Sequence, residues 1–186
     1  GINVIRSYIY PSNSIKFVPR LWNYFSFVLS SLFIGICSIP KCDVLMTESP
    51  PLFLGISGFF LSRVKGAKWI FNVSDLWPES AVNLGVIGEG LPLKLSRILE
   101  SFCYKKSWLV TGQSREIVKN ISGRFPQIET YRLSNGVDVE KFNSKQKSDI
   151  LQQWSDGKQM TVVYAGLHGI AQGLGQIIKT AAKLDK

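Results

Sequence analysis

Cysteine and histidine are scarce in this chain. It has three cysteines, Cys37, Cys42 and Cys103, and one histidine, His168. No CxxC pair occurs, and a zinc site takes about four ligands, so no metal centre is expected. An odd, scattered set of thiols also argues against a disulfide framework and points to a reducing compartment. No arginine-rich block with interleaved aromatics is present, so nucleic acid is not an expected partner. Charged residues make up only 19% of the chain against 45% hydrophobic, which excludes a disordered tail. The charge is nonetheless one-sided. With 22 Lys and Arg against 13 Asp and Glu, the net charge is +9, a surface suited to phosphates or anionic lipid.

One long segment has no charge at all. Residues 21–39, LWNYFSFVLSSLFIGICSI, lie between Lys16, Arg20 and Lys41. The length approaches the roughly 20 residues that span a bilayer. Asn23, Ser26, Ser30, Ser31 and Ser38 dilute the run, and strand-like stretches on both sides suit a crossover helix of a βαβ unit. A soluble crossover helix, a membrane span and a helix resting on a membrane surface are the three readings. Both ends look cut. Residues 2–10 already read as strand, and GLGQIIKTAAKLDK at the other end reads as a helix without a glycine cap. No signal peptide is recognised.

Apolar periodicity alternates between strand and helix along the rest. Strands are predicted at 43–47, 68–73, 108–111 and 129–133, and helices at 51–64, 92–106 and from Ser114 to about Arg124. Gly66 is expected to end the first helix. Leu95, Ile98, Leu99 and Phe102 are expected to form the buried stripe of the second, and Ser114 to cap the third. This alternation predicts an α/β fold, a Rossmann-like parallel sheet with helices on both faces. Function then belongs at the sheet's C-terminal edge, in the segments ESPP, SDLWPES, GQSRE and SNGVD. The predicted organisation is an N-terminal Rossmann-like domain at 1–133, a polar linker at 134–158, and the start of a second Rossmann-like domain at 159–186. A strand at 160–165 and a helix from about Leu174 would open that second domain.

Three stretches carry candidate chemistry. GLHGIAQGLG at 166–175 is a glycine-rich loop between strand and helix, able to bring backbone N–H groups close to a phosphate. It is neither a GxGxxG fingerprint nor a Walker A loop. SNGVD at 134–138 holds Asn-Gly, a turn signal and a hinge by position. SDLWPES at 74–80 offers Asp75 and Glu79 just past a strand end. Asp75 reads equally as a cap of the turn and as a group acting on a hydroxyl. Glu79 is expected in the first turn of a short helix.

Taken in order, SPPLFLGISG at 49–58, SDLWPESAVNLGVIG at 74–88, SNGVDVEKF at 134–142 and VVYAGLHGIAQGL at 162–174 resemble the WbuB-like branch of glycosyltransferase family 4. The resemblance covers nearly the whole chain. It implies the GT-B fold of two Rossmann-like domains. It implies retaining transfer of a sugar from a nucleotide-diphosphate sugar to a lipid-linked saccharide at the cytoplasmic membrane face, in surface polysaccharide assembly such as O-antigen or capsule. No metal or other cofactor is implied. Carried over by position, Asp75 is the acidic residue beside the acceptor. Asn135, Gly136 and Asp138 match the hinge motif lining the cleft, and Ser49, Ser74, Glu79 and Ser114 are expected on its acceptor side from their place at the sheet edge. Gly166, His168, Gly169, Gln172 and Gly173 form the first donor-phosphate loop. Many members have His immediately before the Asp, where this chain has Ser74. The diphosphate-holding Arg/Lys pair and the acidic donor motif would follow Lys186, and a first glycine loop would precede Gly1. Little transfer is therefore expected from these 186 residues alone. A nucleotide-sugar 2-epimerase of the same fold and a non-catalytic membrane-anchored assembly protein are the competing readings.

Overall fold

A computed structural model describes residues 1–12, 17–85, 87–142, 162–169 and 172–184. The linker residues 143–158 thus lie outside the described residues. The chain divides into two compact units, Gly1–Asn135 and Gly136–Lys186.

The first unit is a Rossmann-like α/β layer. Its elements are α1 (Phe17–Ser38), β1 (Val44–Ser49), α2 (Leu54–Lys65), β2 (Lys68–Val73), α3 (Glu79–Asn83), α4 (Leu91–Lys106), β3 (Leu109–Gly112), α5 (Arg115–Arg124) and β4 (Thr130–Arg132). The four strands are all parallel in the order β1-β2-β3-β4. Parallel crossovers are right-handed, so a sheet laid down in one direction brings each connecting helix to the same face. Of the two helix layers expected, the described residues supply the one over Trp69, Phe71 and Val73. Those three are buried, with Leu52, Cys103, Tyr104, Val110 and Ile121. The opposite face carries Val44 and Met46 of β1 and Tyr131 of β4, all exposed.

Local chemistry explains most boundaries. Gly66 ends α2 in the left-handed region at φ 70°, as its position predicts. Ser114 caps α5 by accepting from the Ile117 N–H at 3.2 Å. At Gly58 a Cβ would stand 2.5 Å from Thr47 Cγ2 and 2.7 Å from Trp69 Nε1, so only glycine lets α2 sit this low on β1 and β2.

Three expectations are corrected. Residues 2–10 form no strand. Their backbone is met by α1 side chains instead: Asn23 Nδ2 donates to the Tyr10 carbonyl at 2.6 Å, Ser26 Oγ accepts from the Tyr10 N–H at 2.8 Å, and Ser30 donates to the Tyr8 carbonyl. The stripe on α4 is rotated. Leu93, Ser96, Glu100, Cys103 and Tyr104 are buried; of the expected stripe, Leu99 and Phe102 are half-buried against the core, while Leu95 and Ile98 are more than half exposed. The cause is Glu100, which is fully buried and held by Arg124 of α5 through two hydrogen bonds, 2.9 Å and 2.5 Å. Of the strand expected at 160–165 in the second unit, residues 160 and 161 lie outside the described residues and 162–165 lie outside any strand, whereas the helix begins at the predicted residue, as α7 (Leu174–Leu184). A parallel strand needs a neighbour for its ladder, and among the described residues that unit contributes none. Its remaining element is the short helix α6 (Val139–Phe142).

Burial, with the Glu100 carboxylate adding to it, pushes the Cys103 thiol up to about 12 from an ordinary 9.0. Burial also raises the Tyr104 phenol. Because the folded value lies above the unfolded one, the stability from keeping this thiol protonated is whole below pH 9. It is lost as pH climbs from 9 toward 12. Thiol labelling at pH 8 should modify exposed Cys37 and half-buried Cys42, and reach Cys103 only after denaturant is added.

Candidate functional site

The parallel register aligns Glu48, Asn72 and Thr111 side by side across β1, β2 and β3 near their C-terminal ends. Their side chains bond in a row. Thr111 Oγ1 donates to Asn72 Oδ1 at 2.6 Å, and Asn72 Nδ2 donates to Glu48 Oε2 at 2.5 Å. Glu48 Oε1 accepts from the Ser74 hydroxyl, and Gln113 Nε2 donates to that same hydroxyl. Thr111 and Asn72 are buried at 2% and 7% exposure, while Glu48 itself is exposed. A buried hydroxyl thus fixes the orientation of a buried amide, and the amide fixes an accessible carboxylate.

None of Glu48, Asn72, Thr111 and Gln113 was singled out by sequence, although Glu48 and Gln113 fall inside two of the segments placed at this edge. The signal that finds them is register. Residues spaced 24 and 39 positions apart meet only once the strands pair.

The expected residues distribute around this row. Ser74 is within it. Ser49, the last residue of β1, is buried at 1% on the helix-covered side, and its carbonyl accepts from the Ser74 N–H at 2.8 Å. Asp75 is exposed one residue past Ser74, with its carbonyl accepting from the Trp77 N–H at 2.9 Å. The capping alternative for Asp75 is not met: α3 is entered from Pro78 without a side-chain cap. Among the described residues the Asp75 carboxylate takes no hydrogen bond. Glu79 opens α3, as expected, and its Oε1 pairs with Arg97 Nε of α4 at 3.5 Å, which ties the loop to that helix. Ser114 is committed to its cap. The peptide bonds Ser49–Pro50, Pro50–Pro51 and Trp77–Pro78 in the two loops leaving β1 and β2 are cis.

An aromatic chain links this edge to α1. Phe53 lies 6.0 Å from Trp77 by ring centroids, 5.1 Å from Phe25 and 6.2 Å from Tyr24. Helix α1 runs alongside α2: Ser57 donates to the Val28 carbonyl at 2.9 Å and Lys65 Nζ to the Ile36 carbonyl at 2.7 Å. One side of α1 therefore meets α2, and Asn23, Ser26 and Ser30 meet the segment at 8–10. What remains outward is apolar. Val18, Trp22, Leu29, Phe33 and Ile36 fall within about 60° of arc at 3.6 residues per turn. They are 61%, 60%, 50%, 66% and 38% exposed. The stripe is about 27 Å long at 1.5 Å per residue. Of the serines that dilute this segment's hydrophobicity, Ser26, Ser30 and Ser31 are thus spent internally, and Ser38 is exposed.

Further along, the Asn-Gly turn expected at 135–136 is not formed. Leu133 N–H still bonds the Gly112 carbonyl at 3.0 Å, carrying the chain on in the direction of β4, and no turn occurs over 134–138. Asn135 ends the first unit, and Gly136 begins the second with open space around it. Asp138 caps α6 by accepting from the Lys141 N–H at 3.2 Å.

Within the second unit, His168, Gly169, Gly173, Gln176 and Lys179 line one hollow at the N-terminus of α7. Tyr164 donates to the Leu167 carbonyl at 3.0 Å, and its ring packs edge-on to His168 at 5.8 Å. Gly166 faces the Tyr164 hydroxyl, where a Cβ would stand 2.9 Å away. Gly173 enters the helix at φ 58°, a conformation that favours glycine. Gln172 turns back on Gly169, its N–H bonding that carbonyl at 3.2 Å. Three of the five loop residues expected here, His168, Gly169 and Gly173, line the hollow, Gln172 bonds to Gly169, Gly166 packs on Tyr164, and Lys179 adds a cation that the loop motif did not include. Free N–H groups, a helix N-terminus, an imidazole and an ammonium suit an anion.

No family profile matches the chain, and no curated protein matches it.

Proposed function

We propose that this chain is part of a retaining glycosyltransferase of the WbuB-like branch of family 4, which moves a sugar from a nucleotide-diphosphate donor to a lipid-linked saccharide on the inner face of the cell membrane. One observation carries the acceptor half of this reading. The polar sheet edge at Ser74, Asp75 and Glu48 adjoins, through Trp77 and Phe53, a helix with a long exposed apolar stripe. An acceptor with a sugar at one end and an isoprenoid-like tail at the other has the matching polarity. The net charge of +9 favours the anionic lipid surface where such acceptors reside.

The chemistry follows from where charge develops. As the bond between the anomeric carbon and the diphosphate breaks, positive character grows on the sugar and negative charge on the departing phosphate. His168, Gly169 and Gly173 of the loop, with Lys179 beside them, supply donors and positive charge for that phosphate, a preorganised electrostatic stabilisation. Asp75 orients the acceptor hydroxyl and takes its proton as the oxygen bonds to the anomeric carbon, while the diphosphate departs with the electron pair of the broken bond.

The test is transfer. Membranes from cells expressing the gene that carries this sequence are given radiolabelled nucleotide-diphosphate sugars. Label should pass into organic-extractable lipid and be released by mild acid. Label that stays on the nucleotide with the sugar inverted at C2, without any acceptor, would instead mark an epimerase.

The membrane contact has its own check. Trp22→Gln, Leu29→Gln and Phe33→Gln together should lower flotation with phosphatidylglycerol-containing vesicles at least about tenfold, because apolar burial and basic charge act jointly in such binding. Unchanged flotation would remove α1 from the contact. Release of the natural protein by alkaline carbonate is expected for a helix on the surface, and retention would mark a span.

A further inference from the structure

We infer that Glu48 is a sugar-hydroxyl-binding residue, and that the row Glu48–Ser74–Gln113 is the polyol-recognising part of the acceptor site. The inference rests on the glycosyltransferase reading for its biological setting but stands on its own geometry.

The bonds among Glu48, Ser74 and Gln113 leave acceptor capacity unspent on Glu48 and Gln113. Ser74 spends its proton on Glu48 and receives one from Gln113 Nε2. Gln113 therefore keeps its Oε1 as an acceptor. Glu48 takes one bond on each oxygen and keeps further lone pairs on both. The edge thus presents acceptors on either side of a hydroxyl. Such a surface repels phosphate and selects a ligand rich in O–H donors. This is the reverse of the hollow before α7, which is built of donors. Among the described residues no three His, Cys, Asp or Glu side chains cluster, and Glu48 is the one carboxylate in the row.

The carboxylate is also held ready. Asn72 cannot flip, because Thr111 occupies its Oδ1 and Glu48 its Nδ2, and both Asn72 and Thr111 are buried. A ligand's hydroxyls then meet a fixed acceptor rather than ordering a mobile one, which lowers the entropic cost of binding. The exposed Glu48 side chain can meet a ring with two adjacent hydroxyls, one on the carboxylate and one on the Gln113 carbonyl oxygen.

The experiment is saturation-transfer NMR on the 186-residue chain with methyl hexopyranosides as probes, alongside amide spectra that confirm folding. The wild type should transfer saturation to the ring protons beside adjacent hydroxyls and shift the Asn72 and Gln113 side-chain amide signals. Glu48→Ala should weaken binding at least tenfold. Glu48→Gln, which keeps the shape but puts a donor in place of an acceptor, should weaken it severalfold. Equal binding by wild type and Glu48→Ala overturns the inference, as does the absence of saccharide binding by the wild type. So does inorganic phosphate shifting the same amide signals. Failure of the membrane transfer assay with saccharide binding intact would sink the glycosyltransferase reading and leave the Glu48 site standing.

Discussion

Asp75→Asn is expected to lower sugar transfer by about 10²–10⁴-fold, the range typical of losing a group that handles a reacting proton or hydroxyl. It should leave the melting temperature unchanged. Asp75 is exposed, its carboxylate takes no hydrogen bond among the described residues, and the contact that shapes the loop comes from its backbone carbonyl. Asn preserves size and that carbonyl while removing charge. The measurement is initial rate in the membrane transfer assay beside a thermal melt of each protein. Near-wild-type rates would leave Asp75 a residue of the bend only, and a lowered melt would mean that its charge stabilises the loop.

The largest stability effect is expected at Arg124. Glu100 is wholly buried in α4, and Arg124 of α5 meets both of its oxygens, at 2.9 Å and 2.5 Å. The Arg124 side chain is itself about one-third exposed, so the guanidinium keeps part of its hydration while the carboxylate has none. Removing the arginine strands the acid. Arg124→Met should destabilise the fold by about 3–5 kcal/mol, the usual cost of an uncompensated buried charge. The double variant Glu100→Met, Arg124→Met should recover most of this, because two apolar side chains need no mutual partner. Urea melts of the wild type, the single variant and the double variant decide it. A double variant as unstable as the single would show that packing at the α4–α5 contact, not charge, sets the loss.

The buried pair also shows why part of the fold was legible in the sequence and part was not. KWIFNV reads as a buried parallel strand because its apolar run needs no knowledge of its neighbours, and it forms β2 over those six residues. Gly66 and Ser114 act through backbone geometry within a few residues, so their roles are visible locally. The α4 stripe fails at Leu95 and Ile98 because periodicity counts apolar residues. Glu100 enters the core only when an arginine 24 positions away supplies two donors. Residues 2–10 fail for a related reason. Their alternation suits a strand, but a strand needs a neighbouring backbone, and three α1 side chains satisfy theirs first.

At the site the division is the same. The edge where Ser74 and Asp75 emerge follows from parallel topology alone, and the loop before α7 announces itself by glycine spacing. Glu48 does not, since its importance lies in Asn72 and Thr111 standing beside it in register. Lys179 sits outside the loop motif and reaches the hollow from the body of α7.

The order β1-β2-β3-β4 has one more consequence, for how the protein is made. Parallel sheets fold slowly where strands distant in sequence must find each other across a long intervening chain. Here β2, β3 and β4 each pair with the described strand synthesised just before it. Among the described strands, none must wait for a later one to be inserted between it and its neighbour. The sheet of the first unit can therefore grow from one side, each helix settling as its strand joins, while the ribosome is still extending the chain.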